Sequence, residues 1–507
     1  MQKQTTASDA AALVDTGDTV LITGSGGGLM DADRVFEALE DRFLSTGRPR
    51  DLTLIHATGI GTRAHTGLSR FAHEGLVRRV VGGHWAWSPE MIDLALDEKI
   101  EAYNLPQGVL SLLTREAAAG RPGLLTPVGL HTFVDPDRHG GKLNARTTEA
   151  LVERTTVGGR ERLFYESPTV DVTILRGTTA DERGNISTEQ EAADLDVLSA
   201  AQAAKQGGGT VIAQVKRLAR AGSLPPRSVQ VPAPLTDAVV VHPDQRQTVE
   251  AAHNPSFSGE LRTPEGALPP LDFGLRKIVA RRAAQELRPN TVVNLGFGIS
   301  DGVANVAAEQ DALDDVTFSI EQGLVGGIPA KGDIFGASHN PEAIVDATHQ
   351  FDFYHGGGLD LTFLGMAQVD AHGHVNVSKF GDQLPGCGGF IDISQNTPVV
   401  VFCGSFAAGG LEIAVSDEQL VIEQDGSIPK FVADVEHVTF NGDYARRQEQ
   451  RVLYVTERAV FRLRADGLEL TEIAPGVDLE ADVLAPMQFT PDVSPSLSRM
   501  DAQIFRP

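Results

Sequence analysis

Short apolar runs that end in glycine turns recur along the chain and predict buried strands. Residues 17–26 (GDTVLITGSG) and residues 289–298 (PNTVVNLGFG) place a polar turn, an apolar run and a pair of glycines in the same order. An apolar run of that length, bounded by glycine, is typical of a strand inside a sheet. The repetition indicates that the two halves of the chain are related.

An amphipathic helix is predicted after each of these strands. Apolar residues recur there at helical spacing: Val35, Phe36, Leu39 and Phe43 in the first half, and Val303, Val306 and Ala307 in the second. Asp31 and Ser300 precede these residues and are suitable N-caps. A strand, a glycine turn and a helix form one α/β unit, so each half is predicted to contain such a unit.

A second pair of matching segments lies further along each half. Residues 181–184 (DERG) and residues 370–373 (DAHG) each separate two apolar runs, which predicts a hairpin in both halves. Two other apolar runs, at 239–241 and 399–402, are continuous, as in strands that are covered by helices on both faces. The expected fold is therefore α/β, with two related open-sheet α/β domains in one chain.

The boundary between the two domains is expected near the middle of the chain. Residues 244–272 combine prolines and polar residues without clear periodicity, which is typical of a linker or a surface crossing. We therefore assign residues 1–245 to an amino-terminal domain, residues 246–272 to a linker and residues 273–507 to a carboxy-terminal domain. A chain of 507 residues is also longer than a single core usually supports.

Composition and charge limit the kinds of molecule that this chain is expected to bind. The 41% apolar and 22% charged residues are ordinary for a globular protein. Asp and Glu number 68 against 43 Lys and Arg, which gives a net charge of −25. This charge repels nucleic-acid phosphates, and no basic run with interleaved aromatic residues offsets it, so no nucleic-acid partner is expected. An anionic ligand would need local donors such as Arg, Lys or glycine amides.

The expected location is the cytoplasm. Cys387 and Cys403 lie in a predicted glycine loop and a predicted buried strand, which favours a reducing compartment over a disulfide. The first twenty residues lack the apolar core of a signal peptide. No segment approaches the roughly 18 apolar residues that a membrane span requires, so no membrane partner is expected either.

A glutamate follows one predicted strand directly. Residues 316–320 (VTFSI) form the strand, and Glu321 comes next in a glycine-rich segment, 321–329. Ligands of open α/β sheets bind beyond the carboxyl ends of the strands, and the glycines let other groups approach closely. Glu321 is therefore a candidate nucleophile or acid/base, although its position alone also fits the start of a surface turn.

A second glycine cluster, residues 381–394 (GDQLPGCGGFIDIS), lies between two predicted elements. Its successive backbone amides could form an oxyanion hole, and a purely structural turn is the alternative. Cys387 within it is either a thiolate nucleophile or a small packed residue.

Other glycine and histidine clusters give weaker indications. Residues 24–28 (GSGGG) and 296–298 (GFG) follow strands and could hold a pyrophosphate, but neither matches the dinucleotide-binding pattern. His355, His372 and His374 lack Cys or carboxylate ligands at the usual spacing, so no metal site is predicted. The sequence also lacks a Walker loop.

Taken together, these segments resemble the family I coenzyme A (CoA) transferases along nearly the whole chain. The resemblance is carried by residues 104–111, 120–136, 176–185, 321–329 and 381–394. The sequence is most similar to single-chain acetate or propionate CoA transferases, which join two subunits in one polypeptide. Glycine motifs occur in both halves, so the active site is expected between the domains.

The resemblance implies roles for particular residues. Glu321 corresponds to the nucleophile of the E-x-G-x-x-G motif, and Gln107 to a substrate-binding glutamine of the amino-terminal half. The glycines expected in the oxyanion hole or in CoA binding are Gly296, Gly298, Gly323, Gly386, Gly388 and Gly389. Those expected to contact substrate are Gly26 and Gly27.

The resemblance also implies the reaction. Glu321 attacks an acyl-CoA thioester to give a mixed anhydride, the released CoA thiolate attacks the glutamyl carbonyl, and a glutamyl-CoA thioester remains. A carboxylic acid acceptor then reverses these steps. The partners are thus acyl-CoA and small carboxylates, no metal or redox cofactor is required, and a homo-oligomer is expected because relatives usually form one.

Two departures from the family bear on the substrate. Relatives acting on 3-oxoacids commonly have Asn and Met where this chain has Gln322 and Cys387, which favours acetate or propionate over acetoacetate. Two alternative functions remain open from the sequence: a sugar-phosphate isomerase of related fold, and a CoA-binding protein without turnover.

Overall fold

A computed structural model describes residues 3–264 and 270–507 of the chain. Residues 265–269 of the predicted linker lie outside the described residues. Among the described residues, no helix combines the length and the apolar character needed to cross a lipid bilayer.

Strands and helices alternate in the first half of the chain. Its strands are β1 Gln4–Thr5, β2 Thr19–Ile22, β3 Leu52–His56, β4 Val77–Gly82, β5 Glu101–Asn104, β6 Gly123–Thr126, β7 Val152–Val157, β8 Arg160–Glu166, β9 Val172–Asp181, β10 Ile186–Ser187, β11 Thr210–Ala219, β12 Val229–Val231 and β13 Ala238–Val241. Its helices are α1 Ala7–Ala11, α2 Asp33–Thr46, α3 Pro89–Leu96, α4 Gln107–Ala118 and α5 Val197–Gln206.

The second half repeats this alternation. Its strands are β14 Thr291–Leu295, β15 Val316–Ile320, β16 Leu324–Val325, β17 Ile328–Pro329, β18 Ser338–His339, β19 Ala343–Ile344, β20 Leu361–Gly365, β21 Gln368–Val369, β22 Val375–Asn376, β23 Val399–Cys403, β24 Ala407–Ala408, β25 Glu412–Ser416, β26 Gln419–Gln424, β27 Ile428–Pro429, β28 Arg451–Val455, β29 Ala459–Arg464, β30 Gly467–Ile473 and β31 Asp492–Arg499. Its helices are α6 Leu275–Ala284, α7 Gly302–Glu309, α8 Ala347–His355, α9 Phe390–Asn396 and α10 Gly442–Arg447.

Each half builds one large sheet. In the described residues the first sheet has the order β1-β13-β11-β9-β2-β3-β4-β5, and the second has the order β19-β16-β15-β14-β20-β23-β28-β29-β30-β31. The neighbours from β15 to β28, like those from β1 to β5, are parallel. The strand order changes direction between β9 and β2 in one sheet and between β20 and β14 in the other. The predicted α/β fold with two open sheets is confirmed.

The predicted hairpins of both halves are present and have the same internal hydrogen bonds. One oxygen of Asp181 accepts from the backbone amides two and four residues later, at 2.9 and 3.0 Å. One oxygen of Asp370 accepts from the equivalent amides at 3.0 Å each. Strands β9 and β10, and strands β21 and β22, then pair antiparallel. The duplication seen in the sequence therefore extends to single hydrogen bonds.

The predicted helix N-caps are wrong in both halves, although the predicted apolar faces are buried. Helix α2 begins after Ala32 and helix α7 begins after Asp301, without a side-chain cap in either case. Asp31 is instead buried against the preceding glycine turn, and Ser300 donates its hydroxyl to the Gly296 carbonyl at 2.8 Å. Each side chain bonds or packs within the turn before the helix, so the helix begins one residue later than predicted in both halves.

The segment between the two sheets contacts both of them. Between Val241 and Leu275, the described residues contain no helix or strand. The Val249 amide donates to the carbonyl of Gly27 at 2.8 Å, and Phe257 is buried in a cluster with Leu29 and Ile334. This part of the chain packs over the seam between the two halves.

Candidate active site

A cavity of about 300 Å³ lies between the two halves, where an active site is expected from the sequence. Residues that follow the strands of both sheets line it. From the first sheet these include Gly26, Gly59, His84 and Gln107, and from the second sheet Gly296, Glu321 and Gly365. The carboxyl ends of the two sheets therefore face each other across one space, which is where open α/β sheets bind ligands.

Glu321 follows β15 and points into this cavity, which excludes the alternative of a surface turn. Its Oε2 atom is shielded from solvent and has no hydrogen-bond partner among the described residues. Burial raises the pKa of Glu321 to about 7, and the charge of Asp392 adds to the rise; its own backbone amide and the Gln322 side chain oppose it. A carboxylate with one unpaired, desolvated oxygen is a reactive group, because neither water nor a donor stabilises the charge on that oxygen.

A buried polar network beneath the strand fixes the position of Glu321. The Ser319 hydroxyl lies 2.5 Å from the Tyr354 hydroxyl, and the Asn294 side chain donates to the Ser319 carbonyl at 3.2 Å. Thr362 donates to the Asn294 side chain at 3.0 Å. These bonds join β14, β15, β20 and α8 just before the glutamate, and satisfied buried networks of this kind hold a backbone rigidly.

The glycine loop before α9 lines the cavity, but most of its amides are already bonded. The Gly386 amide donates to the Ser378 carbonyl at 3.1 Å, and the Gly388 amide donates to the Gly83 carbonyl at 2.8 Å. In this structure neither of these two amides is free to donate to an oxyanion, although both glycines line the cavity. The Gly389 amide has no acceptor in the part of the chain that the structure describes. Among residues 386–389, it is the backbone amide that remains free to donate.

Gly389 also lies beside the candidate nucleophile. A Cβ atom added to Gly389 would come within 3.5 Å of Cγ of Glu321 and 3.2 Å of Cδ1 of Ile393. The absence of a side chain here keeps the space next to the glutamate open for a substrate carbonyl.

Cys387 packs in the loop as a small buried residue. Its backbone amide donates to the Asn104 side chain at 2.9 Å. Burial raises the pKa of the Cys387 thiol well above its usual value, and the charge of Asp392 adds to this rise. The thiol is therefore protonated at neutral pH, which argues against the thiolate alternative.

Gln107 begins helix α4 and is held against the glycine loop. Its backbone amide donates to the Gly388 carbonyl at 2.9 Å, while its side-chain Nε2 is buried and has no hydrogen-bond partner among the described residues. Asp392 ties the same region together, because it accepts from the Gly108 amide at 3.0 Å and lies 2.9 Å from Nε2 of His355. A buried NH₂ group without an acceptor is an available donor at the cavity wall.

Three of the glycines expected to bind substrate or CoA do not line the cavity. A Cβ atom on Gly27 would lie 1.9 Å from the Asp333 carbonyl oxygen, and one on Gly323 would lie 2.0 Å from the Val345 carbonyl oxygen. These glycines permit close backbone packing instead of contacting the cavity. Gly298 has a φ of 103° and open space around its Cα.

Two further residues line the cavity without having been predicted. The Nδ1 atom of His84 is buried and has no hydrogen-bond partner among the described residues. Burial lowers the pKa of His84 to about 4, and the charges of Arg63 and the neighbouring His56 add to this effect. The imidazole is therefore neutral at physiological pH. The Arg63 guanidinium lies 4.3 Å over the Trp87 ring and 2.6 Å from Asp333, so it joins the two halves beside the cavity.

The described residues contain no group of three or more His, Cys, Asp or Glu side chains placed to hold a metal ion. The three histidines considered from the sequence have other contacts. His355 bonds Asp392, and the rings of His372 and His374 stack at 5.5 Å.

Known proteins resemble this chain over most of its length. A family model described as coenzyme A transferase matches residues 4–242. The acetate CoA-transferase YdiF of Escherichia coli O157:H7 is 45% identical over 488 residues, which cover 96% of this chain and 92% of that protein. The caffeate CoA-transferase of Acetobacterium woodii is 45% identical over 513 residues, which cover 100% of this chain and 98% of that protein.

A solved structure matches equally well. The crystal structure of the acyl-CoA transferase YdiF from E. coli O157:H7, as a thioester complex with CoA, has a TM-score of 0.94 and 44% sequence identity. The match covers 99% of this chain and 96% of that one.

Proposed function

Because this chain belongs to the coenzyme A transferase family, we propose that it moves CoA from a short-chain acyl-CoA to a carboxylic acid through a covalent intermediate on Glu321. The observation that carries the proposal is the convergence of unpaired polar atoms on one cavity. Glu321 supplies an unpaired oxygen, while Gln107 Nε2 and the Gly389 amide supply unpaired donors. A nucleophile and preformed donors for an oxyanion are the parts that acyl transfer requires.

In the first half-reaction, Oε2 of Glu321 attacks the thioester carbonyl carbon. The negative charge that develops on the carbonyl oxygen is stabilised by Gln107 and the Gly389 amide, and the C–S bond then breaks. The products are an acyl-glutamyl anhydride and CoA thiolate. No proton is transferred, because the attacking carboxylate and the leaving thiolate are both anions.

In the next step the thiolate attacks the glutamyl carbonyl of the anhydride and releases the donor acid as a carboxylate. A glutamyl-CoA thioester remains, and the acceptor carboxylate reverses both steps to leave as its own CoA thioester. The reaction is therefore expected to follow ping-pong kinetics. The thioester complex of the E. coli relative with CoA supports a covalent CoA intermediate in this family.

The proposed acid is short, such as acetate or propionate. Gln322 and Cys387 differ from the residues common in 3-oxoacid transferases, while the two relatives at 45% identity are named for acids as unlike as acetate and caffeate. The alternatives of a sugar-phosphate isomerase and of a CoA-binding protein without turnover lose support, because these relatives are named as transferases and match this chain over 92% and 98% of their own length.

A panel of acyl-CoA donors with acetate as acceptor, and with product thioesters identified by chromatography, tests the function. Formation of acetyl-CoA from propionyl-CoA supports the proposal. Failure to transfer CoA to any short-chain acid while caffeate is accepted would refute the short-chain assignment.

The rate of the first half-reaction is expected to depend on pH through Glu321. Since the pKa of this carboxyl is about 7 rather than 4.5, it is protonated and unreactive at lower pH. The kcat/KM for acyl-CoA should fall about tenfold per unit below the pKa and level off above it. Initial rates across the stable pH range check this, with thermal unfolding at each pH as the control. A flat profile down to about pH 5 would contradict the raised pKa.

Arg63 is proposed to attract the phosphates of CoA at the cavity, since this protein is otherwise strongly acidic. Arg63→Ala is expected to raise the KM for acyl-CoA about five- to thirtyfold while kcat stays nearly unchanged, because one charge-assisted contact is lost in both ground and transition states. Arg34→Ala removes a surface guanidinium outside the cavity and serves as the matched control. An unchanged KM in Arg63→Ala would contradict this role.

A further inference from the structure

A second cavity, of about 350 Å³, lies at the far end of the second sheet. It is bounded by helix α6 and by one face of strands β28 to β31. Leu453, Arg462 and Glu469 stand side by side on three neighbouring strands of its wall. Strand β29, which carries Arg462, is five strand positions from β15, or roughly 24 Å at a spacing of ~4.8 Å. The cavity shares no lining residue with the candidate active site.

Four arginines line this cavity, and three of them are paired with carboxylates. Arg282 forms two hydrogen bonds with Glu472, at 2.8 and 2.6 Å. Arg451 lies 2.6 Å from Glu286. The third pair joins Arg464 and Glu469 at 3.0 Å. These pairs account for all three glutamates that line the cavity.

Arg462 is the arginine that remains. Within residues 3–264 and 270–507 its side chain makes no ion pair and no hydrogen bond, and its Nε atom is shielded from solvent. Four arginines against three glutamates leave one uncompensated positive charge in the cavity, in a protein whose net charge is −25. A buried guanidinium donor without an acceptor is costly, and an oxyanion would satisfy it.

Three serine hydroxyls stand at the edge of the sheet, two strands away from Arg462 and beyond β30. Ser494, Ser496 and Ser498 alternate along the edge strand β31, so their side chains share one face, and all three line the cavity. The Ser494 and Ser496 hydroxyls are 3.2 Å apart. Alternating hydroxyls on one side and a free guanidinium on the other give the cavity donors from two directions.

We propose that this cavity binds the phosphate group of a small phosphorylated molecule between Arg462 and the serines of β31. The five guanidinium N–H groups of one arginine and three hydroxyls offer more donors than the two oxygens of a carboxylate can use, whereas a phosphate presents at least three oxygens. The cavity has room for the remainder of a small molecule. Binding here does not require Glu321, so the site is separate from CoA transfer.

Inorganic phosphate is the probe for this site, measured by calorimetry and thermal unfolding at constant ionic strength. Wild-type protein should bind phosphate and unfold at higher temperature in its presence. Arg462→Gln should weaken phosphate binding at least about tenfold, while CoA transfer is unchanged. Arg34→Gln, which removes a guanidinium paired with Glu37 in the first half of the chain and outside this cavity, is the control and should retain binding.

Several results would overturn the proposal. The site is refuted if phosphate does not bind wild-type protein, if it binds Arg462→Gln equally well, or if its binding is lost only in Arg63→Ala. An equal Arg462-dependent response to acetate would assign the site to carboxylates instead. Should Arg462→Gln not fold, a wild-type crystal soaked in phosphate decides: density beside Arg462 supports the site and an empty cavity refutes it.

Discussion

Replacing Glu321 by glutamine is expected to lower the rate of CoA transfer at least about ten-thousandfold, because the amide cannot displace a thiolate from a thioester. Steady-state transfer from propionyl-CoA to acetate measures the loss. Glu342→Gln, which alters an exposed glutamate outside the cavity, is the control and should remain fully active. Transfer at the wild-type rate in Glu321→Gln would remove the proposed nucleophile.

The same variant is expected to change the stability of the protein. This change shows whether the variant is inactive because it lacks the nucleophile or because it does not fold. Folding raises the pKa of Glu321 from 4.5 to about 7, so the folded protein binds this proton more tightly than the unfolded chain. The free energy of unfolding of the wild type therefore falls as pH rises through this interval. The free energy of unfolding of Glu321→Gln does not fall in this way, because glutamine does not ionise. The variant should therefore be more stable than wild type above about pH 7. Denaturant unfolding at two pH values measures the difference, and a less stable variant at the higher pH would contradict the burial of an unpaired carboxylate.

Gln107→Met is expected to lower kcat about a hundred- to a thousandfold with a much smaller change in KM. The substitution keeps the length of the side chain but removes the buried Nε2 donor proposed to stabilise the oxyanion. Loss of one such donor typically costs this much, and the cost appears in the transition state rather than in substrate binding.

A structural role of Gln107 would have a different outcome. Its backbone bond to the Gly388 carbonyl does not depend on the side chain, so the glycine loop should keep its position in Gln107→Met. The thermal midpoint should stay within a few degrees of wild type, and Gln202→Met on the exposed face of α5 controls for the added thioether. A folded Gln107→Met variant with wild-type kcat would show that the oxyanion is stabilised elsewhere.

The strands and the position of the glutamate could be predicted from the sequence because they depend on local patterns. The apolar run before Glu321 forms β15 over the predicted residues, Val316–Ile320, since five apolar or small residues bounded by polar turns have little alternative to burial. The two Asp-x-x-Gly hairpins were predictable for the same reason. Their hydrogen bonds all lie within five residues.

The partners of individual amides could not be predicted, because they come from distant parts of the chain. The Gly388 amide donates to the Gly83 carbonyl and the Gly386 amide donates to the Ser378 carbonyl, so the glycine amide of the motif that stays free is that of Gly389. Nothing in the spacing of the glycine motif distinguishes these three amides. Asp31 and Ser300 failed as caps in the same way, since their side chains are used by the turns that precede the helices.

His84 and Arg63 were missed because each lies on a separate loop of the first sheet and neither forms a motif with Glu321. The sequence does contain one signal, the run His84-Trp85-Ala86-Trp87, which follows the end of strand β4 at Gly82 after a single glycine. Polar residues usually follow a strand that ends in a surface turn. Aromatic residues at that place instead indicate that the loop lines a cavity.

The central claim is that CoA becomes attached to the Glu321 side chain. Incubation with propionyl-CoA in the absence of acceptor, followed by borohydride reduction and peptide mass spectrometry, tests it most directly. The account predicts that the peptide containing Glu321 carries the corresponding alcohol, that excess acetate prevents this modification, and that Glu321→Gln does not acquire it. An unmodified Glu321 in enzyme that transfers CoA, or a label on Cys387 instead, would contradict it.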